Sequence, residues 1–422
     1  MPRSISSVRL FLICFAAVAL ALPMAILSLA KLMALLGALI LLVGRWVGRR
    51  VEPALPTSAV SLMVLLTLTL MLGSALWSTG SNEEILTAMS KHGRLILIPV
   101  MLCLIRNRRE ASLALAFFVG GQLFLLGSTW LLFAGVPVPW VTSKEAGICE
   151  ICSYAIFSSY LDQSIMTAVL AAVCWHLRPL APTRYRTALA LLVATLALAC
   201  VFFLFQGRTG HLVAIAMLVL ALAWELPQPL RGKALLLTLL LLAGLMAGSS
   251  KVTDRFREVR DGVQSFHQRD ELPSSTGLRL DLWQRSVQSI TDSPWIGTGV
   301  GSWNREFKRQ EQNHLRDMPI NRASSQHHNP HQEYLLWGVE LGLAGVVMLC
   351  GLMLALYRDS LRLDPPQRRA MQSVVLALCI ACLFNCSLYD ALIGDFFCIT
   401  LGLLLRLAAP LDARPALPEM AA

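Results

Sequence analysis

The sequence predicts an all-α polytopic membrane protein of about twelve transmembrane helices, with one long helical segment outside the bilayer. Three observations predict it. Of the 422 residues 56% are hydrophobic and only 15% are charged, a balance that soluble domains do not sustain. The apolar residues fall in long runs without alternation, which excludes a β-barrel. The basic residues gather in short gaps between those runs, and in alternate gaps, as cytoplasmic anchoring requires. The net charge of +10 is therefore assigned to membrane orientation and not to nucleic acid.

At roughly 20 residues per crossing, the runs place spans at 8–28, 31–47, 58–77, 94–106, 111–134, 159–177, 187–206, 210–226, 234–249, 334–357, 370–388 and 391–408. The fourth is short and the first two are nearly continuous, so eleven spans is the alternative count. The opening MPRSISSVRLFLICFAAVALALPMAILSLA has the basic flank of a signal peptide. Its apolar region is too long for a cleaved one, so it reads as a retained first span. The even-numbered gaps carry Arg45, Arg49 and Arg50; Arg106, Arg108 and Arg109; Arg178, Arg184 and Arg186; Arg231 and Lys233; and Arg358, Arg362, Arg368 and Arg369. That pattern puts both termini in the cytoplasm. Residues 1–250 then hold spans one to nine, 251–333 an outer helical segment, 334–408 the last three spans and 409–422 a cytoplasmic tail.

The outer segment mixes both signs of charge. In VTDRFREVRDGVQSF, the residues Val252, Phe256, Val259, Val263 and Phe266 recur at helical spacing, which predicts one amphipathic helix. After the break HQRDELPSS, a second is predicted from about Gly277 to just before Pro294, followed by a glycine-rich turn. That turn, GTGVG, has no βαβ context and cannot be a dinucleotide loop. Most of the eleven cysteines lie in apolar runs as small hydrophobes. Cys149 and Cys152 occupy a polar outer loop, where a local disulfide is an open reading and partners for a metal are lacking.

Three positions on the outer face could carry chemistry. Arg208, in FFLFQGRTGHL, sits in a connection of a few residues between two apolar helices. Gly207 and Gly210 flank it and would leave room for a ligand, while the helix that follows would offer N–H groups to an anion. The ordinary alternative is an arginine that reaches up to lipid headgroups. Arg279 falls early in the second amphipathic helix, with Asp281 on a different face; the alternative is a solvated arginine stacked on Trp283. Two guanidinium forks on one face suit phosphate oxygens better than either alone. His331 stands in RASSQHHNPHQEYLLWGVELGLAG, within roughly one turn of an apolar helix. A neutral imidazole there could take a proton. Beside it Glu340 and the small residues Gly338, Gly342 and Gly345 read as the edge of a polar cavity with close helix contacts. The alternative is a solvated loop histidine. His314, His327 and His328 raise a metal site, but H-H-x-x-H completes no zinc motif, so no metal is expected. Asp390, in NCSLYDALIGD, reads as a solvated turn residue near the same face.

The segments QGRTG around Arg208, SSTGLRLDLWQRSVQSITDSPWIGTGVGSWN around Arg279 and NPHQEYLLWGVELGLAG around His331 resemble the hallmark segments of the bacterial O-antigen ligase and polymerase superfamily. The resemblance implies a GT-C-like glycosyltransferase of the inner membrane, working on the periplasmic side without metal or other cofactor. It implies an undecaprenyl-pyrophosphate-linked O-antigen as donor, a sugar hydroxyl of the lipid A-core as acceptor, and membrane lipids as surroundings. Carried over residue by residue, Arg208 and Arg279 would bind the pyrophosphate and His331 would activate the acceptor. Where the family commonly has asparagine after the histidine, this chain has Gln332. A polymerase or a protein O-oligosaccharyltransferase of the same superfamily would use the same donor. The compact chain without an added C-terminal domain favours the ligase over the protein-glycosylating enzyme. A flippase for lipid-linked sugars is the reading outside the superfamily; it would show internal repeats and mid-membrane charges.

Overall fold

A computed structural model describes residues 3–47, 58–142, 154–227, 275–315 and 329–408, together with 229, 230, 232, 233 and 236. Among the described residues the chain is helical, without a β-strand. The helices are α1 Arg3–Ala19, α2 Met24–Trp46, α3 Ala59–Ser74, α4 Asn82–His92, α5 Leu97–Leu104, α6 Arg108–Phe133, α7 Tyr160–Leu177, α8 Arg184–Ala199, α9 Arg208–Glu225, α10 Ser275–Asp292, α11 Trp303–Leu315, α12 Glu333–Ser360, α13 Pro365–Phe384 and α14 Ala391–Leu405. Eight helical stretches among the described residues are long and apolar enough to cross a membrane, and shorter apolar helices at Ser7–Ala19 and Ala59–Ser74 accompany them. The protein is a multi-pass membrane protein.

Every predicted span except the ninth falls on a helix. The ninth, 234–249, lies outside the described residues but for residue 236, and so do Cys149, Cys152, His327, His328, the amphipathic helix over 252–266 and the tail 409–422. Two boundaries are corrected. The first span stops at Ala19, not at 28, because the chain turns ahead of Pro23, whose carbonyl accepts from the Ile26 and Leu27 N–H groups and starts α2. The fourth is not short. A tight turn over Gly93–Ile96 joins α4 to α5, giving a continuous run Asn82–Leu104. Its first half, NEEILTAMSKH, is too polar to read as a span. It folds as helix because Ser81 and Glu84 form a reciprocal capping box at its start, satisfying N–H groups that have no partner within the helix.

The helix ends form two separate polar layers. In one, Arg9 pairs with Glu110, Arg108 with Asp364 at 3.1 Å, and Asp359 accepts from the Ser58 hydroxyl and the Val60 N–H. The basic gaps Arg106–Arg109 and Arg358–Arg369 belong to this layer. The other layer holds the starts of α4, α7, α9, α12 and α14, and α10 and α11 cover it. Between the layers α7 packs on α8, α9 and α13, while α12 packs on α3 and α13, and α5 on α14. A main apolar core results, with Trp337, Phe118, Phe396 and Phe397 fully enclosed, and a second cluster around Leu126, Leu170 and Val193 lies between α6, α7 and α8.

α12 is broken near its start. Gly342 has φ +62° and ψ −152°, outside the helical region and accessible to glycine without strain. The break would leave backbone groups unpaired where no water can reach them, at several kcal/mol each by an order-of-magnitude estimate. The loop after α10 supplies the partners. The Thr298 and Gly299 N–H groups donate to the Val339 and Glu340 carbonyls at 3.0 and 2.8 Å. On the far side, the Leu343 and Ala344 N–H groups donate to the Pro294 and Trp295 carbonyls at 2.7 and 3.3 Å. GTGVG is thus the expected turn, with its backbone spliced into a transmembrane helix.

The splice corrects the reading of Glu340 and its neighbouring glycines. Glu340 is enclosed by its own partners. It is buried, bonded to His92 Nε2 at 2.8 Å and to the Gly301 N–H at 2.9 Å, and so ties α12 to α4 and the turn. A side chain at Gly338 would strike Ile290 of α10, and one at Gly342 would strike residues 295–297. A side chain at Gly345 would meet the Trp337 carbonyl of its own helix. The small residues admit the covering segment and the kink, not a neighbouring membrane helix.

Gly299 has φ +92°, and a Cβ there would stand 2.2 Å from the Ser78 Cα. Gly299→Ala is expected to destabilise the fold by about 3 kcal/mol or more, combining left-handed strain with overpacking. The thermal midpoint in detergent should fall accordingly. Gly120→Ala, with nothing within 4 Å of the new methyl, should leave that midpoint unchanged or higher.

Candidate active site

The site is built on the turn Asn385–Asp390 between α13 and α14. Asn385 ends α13 with extended backbone, and the N–H groups of Tyr389 and Asp390 fold back onto the Cys386 carbonyl at 3.1 and 2.8 Å. The turn reaches in two directions. At one end the Asn385 amide donates to the Thr209 hydroxyl at 3.3 Å, beside Arg208. Along its length the Leu388 and Tyr389 N–H groups donate to one oxygen of Glu333 at 2.9 and 3.3 Å. The other Glu333 oxygen accepts from the Trp337 indole at 2.9 Å. Glu333 is fully buried, and these three donors are what make a carboxylate tolerable there.

His331 enters from this anchored strand. Its φ is +51°, a left-handed conformation that costs a non-glycine residue about 1–2 kcal/mol. Three contacts hold it. Its N–H donates to Asn329 Oδ1 at 2.9 Å, the Asn329 amide reaches Asp390 at 3.4 Å, and the carbonyl of Pro330 accepts from the Trp283 indole at 3.1 Å. Trp283 thus bonds the histidine loop. Gln332 caps α12, its side-chain oxygen accepting from the Leu335 N–H at 2.8 Å. The amide after the histidine therefore has a helix-starting role that glutamine fills.

Arg208 is exposed and opens α9; Gly207 precedes it without a side-chain cap. A π-helical turn over Cys200–Leu204 ends α8 just before this point, a distortion common near functional sites. The flanking glycines do not make room for a ligand. A Cβ at Gly207 would stand 2.8 Å from the Ser164 hydroxyl, and one at Gly210 2.1 Å from it; both positions are filled by α7. Arg279 lies in the early turns of α10, half-buried. Burial lowers its pKa, and the Arg208 charge lowers it further. That second cause places the two guanidinium groups within electrostatic reach of each other. Asp281 pairs with Arg285 at 3.0 Å, and Tyr160 also acts on the Arg279 charge, raising its pKa. An exposed and a half-buried guanidinium group within electrostatic reach of each other repel, and a dianion that met both would relieve that cost.

The structure sets Arg208 within electrostatic reach of Arg279. It links both to the His331 loop, through Thr209 and the Asn385 turn on one side and through Trp283 on the other. Asp390 is more than a solvated turn residue: it is packed against the loop, burial raises its pKa, and Lys91 and Arg94 partly offset that. Sequence reasoning missed Glu333, Asn385, Lys91 and Arg94. For Arg94 the available signal was its place at the very start of the fourth predicted span. Among the described residues, no three His, Cys, Asp or Glu side chains stand close enough to hold a metal ion.

Residues 192–350 match the family model of the O-antigen ligase. Over that stretch the chain is similar to the O-antigen ligase family. The matched stretch contains Arg208, Arg279 and His331, whereas the Asn385–Asp390 turn lies beyond it. No curated protein matches the chain.

Replacing Glu333 by alanine removes the acceptor of three buried N–H groups. It should cost about 2–4 kcal/mol, since each unsatisfied buried donor costs about 1–3 kcal/mol before relaxation. Glu333→Gln keeps one acceptor oxygen and should cost less. Thermal unfolding of both variants in detergent checks the order.

Proposed function

We propose that this protein is an O-antigen ligase of the bacterial inner membrane, with twelve spans, both termini in the cytoplasm and its site facing the periplasm. It would transfer the finished polysaccharide from undecaprenyl pyrophosphate to a sugar hydroxyl of the lipid A-core. The observation that carries the reading is that the Arg208 charge acts on Arg279, whose helix is bonded through Trp283 to the loop that holds His331.

The chemistry follows from these groups. The acceptor hydroxyl oxygen bonds to the anomeric carbon as the bond from that carbon to the pyrophosphate oxygen breaks. The departing pyrophosphate keeps the bonding electrons, and the arginines stabilise the charge that grows on it. The hydroxyl proton passes to the His331 imidazole, whose backbone is held in place by Asn329 and by the Trp283 contact to Pro330. No step requires a metal. Attack opposite the leaving group inverts the anomeric centre, and a product linkage that retains its configuration by NMR would contradict this.

The test is transfer in vitro with chelator present, using purified protein, undecaprenyl-pyrophosphate-linked glycan and lipid A-core lacking O-antigen. His331→Ala should bind the donor normally and lose about 100-fold or more of the transfer rate, the usual contribution of a general base. Arg279→Lys, which keeps charge but not the fork, should raise the donor KM. Chain extension of the lipid-linked glycan without transfer to lipid A-core would assign the protein to the polymerases instead.

A further inference from the structure

The turn spliced into α12 carries an apolar surface. Trp295 and Ile296, just before its glycines, are 72% and 55% exposed. The turn is also bonded to the far end of α3, where the Thr79 N–H donates to the Thr298 carbonyl at 2.9 Å and the Ser78 hydroxyl to the Val300 carbonyl at 2.7 Å. Immediately before those two residues, Leu76 and Trp77 are 91% and 38% exposed. Four large apolar side chains stand out around one turn, the mark of a contact surface.

Continuity says what covers it. Because the Leu343 and Ala344 N–H groups bond the Pro294 and Trp295 carbonyls, the patch runs into Leu343, Val347 and Leu354, exposed apolar residues along one face of the α12 span. On the α3 side it runs into Leu72 and Leu65, which are exposed as well. These are lipid-facing stripes. Depth is bracketed from both directions. At the opposite membrane face Asp359 of α12 accepts from Ser58 and Val60 at the start of α3, so the two helices are level there. From Ser360 back to Leu343 the chain rises about 27 Å at 1.5 Å per residue, close to the roughly 30 Å of hydrocarbon in a bilayer. Beyond the turn the side chains change character at once. Asp292 pairs with Arg309 at 2.7 Å one turn before Trp295, and Glu83 and Glu84 stand in the first turn of α4, a few residues after Trp77.

The backbone meets the condition that such a place imposes. From Gly297 to Ser302 every N–H has a protein partner, among them the Ser74 hydroxyl for Val300 and the Glu340 carboxylate for Gly301. A turn in water has no such need, whereas one at the edge of hydrocarbon does. We propose that the turn Pro294–Ile296, with Leu76 and Trp77, is inserted into the interfacial layer of the leaflet on the side of the candidate active site. The partner is lipid. Indole rings join an apolar face to one N–H donor, which suits them to the ester groups of that layer, while the aliphatic side chains meet the first methylenes of the acyl chains. The inference does not depend on the transferase reading. It fastens α10, and Arg279 with it, to the bilayer as well as to α12.

The test is fluorescence quenching of the full-length protein in nanodiscs of phosphatidylcholine brominated either near the headgroup end or near the tips of the chains, with iodide as the quencher in water. The emission lost on Trp295→Phe is the Trp295 signal. Leu76→Trp, at a position open on nearly all sides, adds a second indole and leaves Trp295 in place. Both signals should lose most intensity to bromine near the headgroup end and least to iodide. Stronger quenching by iodide than by either lipid would overturn the inference by placing the turn in water. Strongest quenching by bromine at the chain tips would overturn it too, since the turn would then lie deep in hydrocarbon. Protection from all three quenchers would overturn it in favour of a protein contact, such as a second copy of this chain.

Discussion

A carboxylate with no exposed surface holds the active end of the molecule together. Glu333 collects the indole of its own helix and two backbone N–H groups of the Asn385–Asp390 turn, and without those donors its buried oxygens would be left unsatisfied in an apolar bundle. Because the donors come from a distant part of the chain, the start of α12 and the turn before α14 have a fixed relation. Everything proposed about catalysis hangs from that relation. His331 is two residues before Glu333, Asn385 and Asp390 are at the two ends of the turn, and Arg208 is one residue from Thr209. Glu340, Asp359 and Asp395 repeat the device elsewhere, each buried with named partners.

Much of the helical architecture was legible because a lipid-facing helix must be apolar along its length, and the runs announce themselves. The stretch Asn82–His92 was not legible. Its polar residues meet the covering helices, as in the bond from Asn304 to Glu84 at 2.8 Å, so its helix is hidden from a hydropathy argument. Small residues were legible as sites of close approach, but not what approaches them. Gly207 and Gly210 admit Ser164, and Gly338 admits Ile290; no local pattern names those partners.

The same limit applied to charge. Glu340 signalled that something polar had to be near, and an open cavity was the natural inference. Its partner His92 is 248 residues away in the chain, and the pair seals the place instead. For Arg208, Arg279 and His331, residue type and order carried the argument, while their connections did not show. Those run through Thr209, Trp283 and Asn385, ordinary residues whose importance lies in the bonds they make.

The splice at Gly342 has a mechanical consequence. α10 is fastened to α12 at two levels, by Trp283 at the Pro330 carbonyl and by Pro294 and Trp295 at the broken helix. Arg279 therefore lies one turn before the first pin, on a helix fastened at its middle and just past its end. One inserted residue between the pins would turn Trp283, and Arg279 with it, by about 100° relative to the broken helix, and would cost the bond to Pro330. The stretch from Trp283 to Pro294 is thus a gauge that sets the phase of the cation against the histidine loop, and α10 cannot swing like a hinged flap without first unpicking a transmembrane helix.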